Sequence, residues 1–344
     1  MDDPIIKQEY NEKNEDSDDD SDDSTNSNNW NIKYEDEKKF WENIIENNYI
    51  YKPAICPACN TGNYNIKEYN NKNINKLFYC RCDFKSCRKR VDLRFYSIFK
   101  INNNIPASVI FKIIDLFFFE SQNAKQITDK INLKYKSNIY NYVVENILKK
   151  IRLIIFSFMD DKYKTTMIGG FDDLNRPIDV AIDESLLIHN SSNEQIWMIG
   201  GIETKTRRVR LILSKDRSSQ TIENFINENF YEGTNFTHDA WRGYNVLNNN
   251  INYSQETYNH GGGDYGEGSH STSHIENYWA QFKKLITRIY GTIPKKNYVL
   301  FVKEIEFRIN LGYKTKKEAT ELLKLIFKKI YELNKFEIED IADL

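Results

Sequence analysis

No apolar run in this chain reaches the ~18 residues that a membrane-spanning helix needs. The nearest, IFKIIDLFFFE at Ile110–Glu120, is interrupted by Lys112 and Asp115. The first residues lack the charged-then-apolar order of a secretory signal. After Cys87 there is no cysteine at all, and no internal repeat is visible. These absences argue against a membrane protein, a disulfide framework and a repeat array. The expectation is a soluble intracellular protein, nuclear if its source is eukaryotic.

What is present is enough for a folded protein. The 344 residues are 40% hydrophobic and 14% aromatic, sufficient for two or three domains with their own cores. The net charge of −2 hides a partition. Residues 1–28 hold eleven Asp/Glu against two Lys, a net of −9, so the rest of the chain carries +7. A basic body behind an acidic leader suits a polyanion-binding protein whose tail competes for its basic surface. The leader's Asp, Ser and Asn content cannot bury enough apolar area to order it, so it also reads as a solubilising disordered segment.

Five segments follow from pattern. Residues 1–30 form the acidic tail. Residues 31–100 begin with one amphipathic helix, KYEDEKKFWENIIEN, with Phe40, Trp41, Ile44 and Ile45 on one face, followed by a cysteine module. Residues 101–164 are helical. Within them a helix at Ala124–Ile131, a polar turn at Asn132–Lys136 and a helix at Ser137–Lys150 have a helix-turn-helix layout. The second helix carries Tyr140, Val143, Val144, Ile147 and Leu148 on one face, and a plain helical hairpin fits equally. Residues 165–312 change to short apolar strands at Ile178–Ile188, Ile196–Glu203 and Arg208–Asp216, then a helix at Ser219–Phe230 and a fourth strand entering FTHDAWRGY. That order predicts a mixed α/β layer domain. A glycine-rich loop lies before a long helix opening at Ser271–Ser273, with Ile275, Trp279, Phe282 and Ile286 on its apolar face. Residues 313–344 form a C-terminal helical tail.

Cysteines 56, 59, 80, 82 and 87 form two short knuckles. Zinc takes four thiolates in a tetrahedron and can organise a module with a very small core. The expected ligands of one structural Zn²⁺ are Cys56, Cys59, Cys82 and Cys87, with Cys80 a packing thiol; Cys80 in place of Cys82 is the alternative. Arg81, Lys85, Arg88, Lys89, Arg90 and Arg94 beside them favour contact with DNA.

Three carboxylates stand out in the α/β region. Asp183 sits among Val180, Ile182, Leu186 and Leu187 in the first strand, where a carboxylate is costly without a metal or a donor. Asp239 ends the fourth strand and also suits a turn. Glu276 follows Ser273 in a capping-box pattern, SHIE, which accounts for it without any catalytic role. A first-strand Asp, a fourth-strand Asp and a following-helix Glu are nevertheless the places where a ribonuclease-H-like domain assembles a two-metal site.

The stretches IDES, IWMIGGIETKTRRVRLILSKDRS, HDAWRGY, HSTSHIENYWAQFKKLI and EIEFRIN resemble the Merlin-type DDE transposases and the bacterial ISXO-type insertion-sequence transposases. The likeness covers about residues 50–312 in matching order. It implies a ribonuclease-H-like mixed-sheet catalytic domain preceded by a zinc ribbon and a helical, helix-turn-helix-like region. The triad then falls on Asp183, Asp239 and Glu276. This chain departs from the family in His238, where Ser is usual, and in Thr272-Ser273-His274 before Ile275-Glu276.

The implied activity is a transposase that cuts and joins DNA strands with two Mg²⁺ or Mn²⁺ ions on those three carboxylates. Its partners would be double-stranded DNA, both terminal inverted repeats and target, in a homodimer or higher assembly; no membrane is involved. The DNA-binding candidates are Arg88, Lys89, Arg90, Arg242, Lys283, Lys284 and Arg288. Lys283 and Lys284 equally suit a solvated face, and Trp241 suits the core. His260, His270 and His274 are expected as DNA contacts rather than ligands, because Mg²⁺ disfavours imidazole. The sequence assigns His238 no role. The alternative readings are a domesticated, non-mobile DNA-binding protein and a zinc-ribbon transcription accessory factor.

Overall fold

The computed structural model describes residues 30–165, 167–189, 195–248, 250–258, 271–292 and 298–312, with residues 318, 321, 322 and 326. Residues 1–29 of the acidic tail, the glycine-rich loop with His260 and His270, and most of the C-terminal tail lie outside the described residues, whereas Trp30, expected at the end of the tail, is buried in the hydrophobic core that includes Trp41 and Ile44. No described helix is long and apolar enough to cross a membrane.

Helix α1 (Tyr34–Glu46) buries Trp41 and Ile44, as its apolar period requires. It packs on a three-stranded antiparallel sheet of β1 (Tyr64–Glu68), β2 (Phe78–Cys82) and β3 (Arg90–Asp92). Two 3-10 turns, at Leu93–Tyr96 and Ile98–Ile101, lead to helix α2 (Ala107–Phe118). Pro106 cannot cap α2 with a side chain. Glu37 of α1 does so from outside, accepting from the Ser108 amide at 3.2 Å and from its hydroxyl. Burial raises the Glu37 carboxyl above its ordinary value.

Helix α3 (Ala124–Tyr135) starts with a capping box between Asn123 and Gln126. It runs one turn beyond the expected end at Ile131, stopping where Lys136 turns left-handed at φ 50°. The turn is then organised by Asn132 from within the helix, whose Oδ1 accepts from the Ile139 amide and the Ser137 hydroxyl, both at 2.9 Å. Helix α4 (Asn141–Thr165) therefore begins four residues later than expected and runs much further. Val144, Ile147 and Leu148 are buried as predicted, but Tyr140 precedes the helix and is 68% exposed.

Short strand β4 (Ile168–Gly169) opens the α/β region. Strands β5 (Asp179–His189), β6 (Gln195–Glu203) and β7 (Val209–Ser214) form an antiparallel meander. Helix α5 (Ser219–Asn229) crosses to β8 (Phe230–Tyr231), which pairs with β4, and then to β9 (Asn235–Asp239). A 3-10 turn at Arg242–Leu247 precedes β10 (Ser254–Tyr258). Helices α6 (Ser273–Tyr290) and α7 (Tyr298–Gly312) follow.

The sheet order is β10-β9-β5-β6-β7, with β9 parallel to β5 and β10 parallel to β9. This is the ribonuclease-H-like arrangement. The pleat divides its residues between two cores. Ala181, Met198 and Ile202 face Ile275, Trp279 and Phe282 of α6. Val180, Ile182, Ile199 and Phe236 face Ile222, Phe225 and Ile226 of α5. A third core unites α1, the cysteine module and α2–α4, and takes in Phe307 of α7. Between α4 and α7, buried Glu304 accepts from Arg152 Nε at 2.7 Å, Arg308 Nε at 2.6 Å and the Tyr290 hydroxyl at 2.5 Å.

Candidate active site and metal centre

The β5–β9 register pairs Asp179 with Asn235, Val180 with Phe236 and Ala181 with Thr237. Extended by two residues, it sets Asp183 level with Asp239. Because side chains alternate along a strand, both carboxylates share the α6 side of the sheet with Ala181. Helix α6 passes over this end and brings Glu276. Burial raises the Asp183 carboxyl to about 6, and the charges of Asp239 and Glu276 push it the same way. The three sequence-predicted carboxylates therefore come together electrostatically.

Each is held by a donor. The Trp279 indole Nε1 donates to Asp183 Oδ2 at 3.1 Å. The Trp241 amide donates to Asp239 Oδ1 at 3.0 Å, an Asx turn at the strand end. The Thr272 hydroxyl donates to Glu276 Oε1 at 2.9 Å. The capping box expected at SHIE is not formed. Thr272 is the N-cap and makes no side-chain cap bond, so Glu276 falls at the fourth helical position rather than the third. Glu276 is exposed, and it reaches back to the helix end through the Thr272 hydroxyl.

The opposite side of the sheet carries a group that sequence reasoning missed. Glu184 points away from Asp183, and burial raises its carboxyl to about 7 while Arg217, 3.6 Å away, opposes that shift. The Arg217 guanidinium lies 4.3 Å from the Trp197 ring centre and 4.7 Å from that of Trp241. His238 is buried here, stacked on Tyr244 at 4.4 Å, with Nε2 2.8 Å from Gln255 Oε1 and Nδ1 2.6 Å from the Asp239 carbonyl. Its place is structural, bracing the strand end that carries Asp239. Gly243 follows from the same packing, since a Cβ there would stand 1.8 Å from the Trp241 ring. The signal for Glu184 was its position beside Asp183 in IDES.

The basic candidates divide. Arg242, Lys283, Lys284 and Arg288 are all exposed. His274 instead accepts from Arg207, Nη1 to Nδ1 at 2.7 Å. In the cysteine module Arg88, Lys89 and Arg90 are exposed, but Arg94 is not available to DNA. It is 3% exposed, and its Nη2 donates to the carbonyls of Phe99, Asn102 and Ile105 at 3.2, 2.6 and 2.6 Å. A buried guanidinium that satisfies a loop's carbonyls acts as a structural brace.

The sulfurs of Cys56, Cys59, Cys82 and Cys87 lie within 4.8 Å of one another. Cys56 and Cys87 are 3.8 Å apart, and Cys59 and Cys82 are 3.6 Å apart. A tetrahedron with Zn–S bonds of about 2.3 Å has edges of about 3.8 Å, so this donor set fits zinc. Gly62 is part of the fit: its N–H lowers the Cys59 thiol to about 7, and a Cβ would lie 2.5 Å from Cys82 Sγ. Cys80 stands apart in the core, where burial raises its thiol to about 12.

Cross-strand pairing gives the module's sheet two unlike faces. Tyr64, Ile66, Phe78, Cys80, Cys82 and Val91 belong to the apolar core side. Asn65 pairs with Arg81, Lys67 with Tyr79 and Arg81 with Arg90 on the other side. Arg90 lies over the Tyr79 ring at 5.5 Å. A hollow of about 320 Å³ is lined there by Lys67, Arg81, Lys85 and Arg88, with Asn65, Cys82 and Asp83.

Residues 186–310 match the family described as the ISXO2-like transposase domain. The match spans Asp239 and Glu276 and begins three residues after Asp183. Among solved structures, the chain is similar to the HTLV-2 integrase catalytic core domain in complex with magnesium, in its trimeric form. The identity is 10%, covering 41% of this chain and 90% of that one, with a TM-score of 0.30. It is also similar to a chain of the simian T-cell lymphotropic virus intasome in complex with PP2A regulatory subunit B56 gamma. There the identity is 11%, over 59% and 75% of the two chains, with a TM-score of 0.28. No curated protein matches the sequence.

Proposed function

We propose, for a chain that carries an ISXO-like DDE transposase domain over residues 186–310, that it cleaves DNA strands and transfers them to new sites with divalent metal. The observation that carries the reading is that Asp183, Asp239 and Glu276 come to one sheet end from two strands and a helix, near enough that the charges of Asp239 and Glu276 both act on Asp183. Three carboxylates that repel one another fit a site for hard, oxygen-preferring cations, and two Mg²⁺ or Mn²⁺ ions are the proposed occupants. Such ions, when bound, activate the attacking hydroxyl and stabilise the leaving oxygen of an in-line displacement.

The chain's own groups do the rest. The donors Trp279, Trp241 and Thr272 orient the three carboxylates before substrate arrives. Lys283, Lys284 and Arg288, exposed further along the helix that carries Glu276, are placed to take backbone phosphate leading away from the cut. Arg242 stands beside Asp239 for the same purpose. In the cysteine module, Cys56, Cys59, Cys82 and Cys87 would hold one structural Zn²⁺. The basic face bearing Lys67, Arg81 and Arg90, with Arg88 and Lys89 on the knuckle, would position transposon-end DNA, with the α3–α4 pair as a second DNA contact. Pairing two ends requires a dimer or higher assembly.

The test is strand cleavage, in Mn²⁺, of duplex DNA carrying the terminal inverted repeats that flank the coding region, by wild type and Asp239→Asn. Cleavage by wild type alone is expected. Equal nicking by both proteins removes the catalytic assignment. Binding of the same duplex without cleavage by wild type identifies a domesticated DNA-binding protein instead.

A further inference from the structure

We infer that Trp279, seated on Gly200, is a positioning residue that fixes the orientation of the Asp183 carboxylate toward the divalent-ion site. The inference rests on the reading of Asp183, Asp239 and Glu276 as that site. In the β5–β6 register Gly200 lies directly opposite Asp183. The Trp279 indole lies against this position: a Cβ on Gly200 would fall 2.7 Å from Cη2 and 3.0 Å from Cζ2 of the ring. The ring is 5% exposed. Its single N–H is directed at Asp183 Oδ2, 3.1 Å away.

Two features separate this arrangement from ordinary core packing. An indole N–H is a donor only, so the contact specifies an acceptor on the carboxylate and occupies one sector of Oδ2. The carboxylate is thereby held by the protein at one oxygen before any cation arrives. The second feature is spacing. Trp279 follows Glu276 by three residues, which places both on neighbouring positions of α6 one turn apart. A single rigid helix therefore supplies one carboxylate and aims another that belongs to the sheet. Glycine at 200 is what allows the helix to approach closely enough, because Arg210 O, 3.3 Å from the same Cβ position, closes the other side.

Groups that orient a metal ligand typically change metal affinity 10–100-fold when removed. Two variants probe the device from opposite ends. Trp279→Phe keeps an aromatic ring over Gly200 and deletes the donor; Gly200→Ala keeps the donor and removes its seat. Mn²⁺ binding to the full chain is measured by electron paramagnetic resonance of free ion, alongside the Mn²⁺ concentration giving half-maximal DNA cleavage. Thermal melts without metal show whether each variant is folded. Both variants are expected to bind Mn²⁺ 10–100-fold more weakly and to need correspondingly more Mn²⁺ for half-maximal cleavage.

Wild-type Mn²⁺ affinity in folded Trp279→Phe overturns the inference. So does a fall in maximal rate at unchanged half-saturation in both variants, because that is what a purely structural role produces. Asp183→Asn separates the two levels. If it loses Mn²⁺ and cleavage while Trp279→Phe behaves as wild type, only the positioning role falls; if it keeps both, the ion site itself is wrongly assigned.

Discussion

Asp183 and Asp239 each lie two residues past Ala181 and Thr237, the last paired position between the neighbouring parallel strands β5 and β9. Burial, with the charges of Asp239 and Glu276 pushing the same way, makes the folded protein resist ionisation at Asp183, whose pKa rises from 3.8 to about 6. The sign follows from linkage. A carboxyl raised on folding favours the folded state below its unfolded pKa and loses that contribution as pH rises through the folded value.

Metal-free Asp183→Asn should therefore melt higher than wild type at pH 8 and nearly equally near pH 4. The gain should be on the order of 1–2 kcal/mol after allowing for partial exposure, or several degrees. Calorimetry in chelator across that range is the measurement. A variant less stable than wild type at pH 8 contradicts a raised Asp183 carboxyl.

Zinc content should distinguish the two cysteines that spacing left open. Wild type and Cys80→Ser are expected to hold about one zinc per chain by atomic absorption, and Cys82→Ser close to none. Chelation should unfold the core shared by α1, the module and α2–α4, because Cys56 and Cys82 are buried within it. Retention of zinc by Cys82→Ser and its loss from Cys80→Ser would reverse the assignment.

Replacing Glu304 by Gln leaves Arg152 and Arg308 without the carboxylate that receives both. Burial alone would raise the Glu304 carboxyl, but the two guanidinium charges outweigh it and hold the group below its ordinary value. Breaking such a buried network should cost about 3–5 kcal/mol in denaturant unfolding. A loss under 1 kcal/mol would mean that α7 is not anchored through this residue.

The salt dependence of binding to duplex DNA should report the basic face of the module. Each phosphate contact contributes about 0.9 to the slope of log affinity against log salt. Lys67→Ala with Arg81→Ala should flatten that slope by about 2 while leaving zinc content unchanged. An unaltered slope places DNA elsewhere.

The strands β5 to β7 and helix α6 were legible because alternation and the 3.6-residue period are written in consecutive residues. Strand β10 was not. Its sequence, SQETY, carries no apolar alternation, and it pairs only with β9 at the sheet edge. The helix-turn-helix region was legible in outline but misplaced by several residues, since Asn132 inside α3 sets the turn. Arg94 read as a DNA contact because its neighbours are basic, and only the loop carbonyls around it show otherwise. His238 had no readable role because its partners, Tyr244 and Gln255, become neighbours through folding.

By itself, the sequence determined which residues alternate between the two faces of the sheet, where thiols occur in knuckle spacing, and that an acidic leader precedes a basic body. Each is a property of near neighbours along the chain. Tertiary structure alone decided that Glu276 is no helix cap and that Asp183 accepts from Trp279, and it brought Cys82, the ligand expected from the sequence, to the other thiols. Those outcomes depend on strand register and on the approach of a helix 93 residues downstream of Asp183 at Glu276. Such contacts are set by the packing of whole faces, where a shift of one residue would turn every carboxylate to the other side of the sheet.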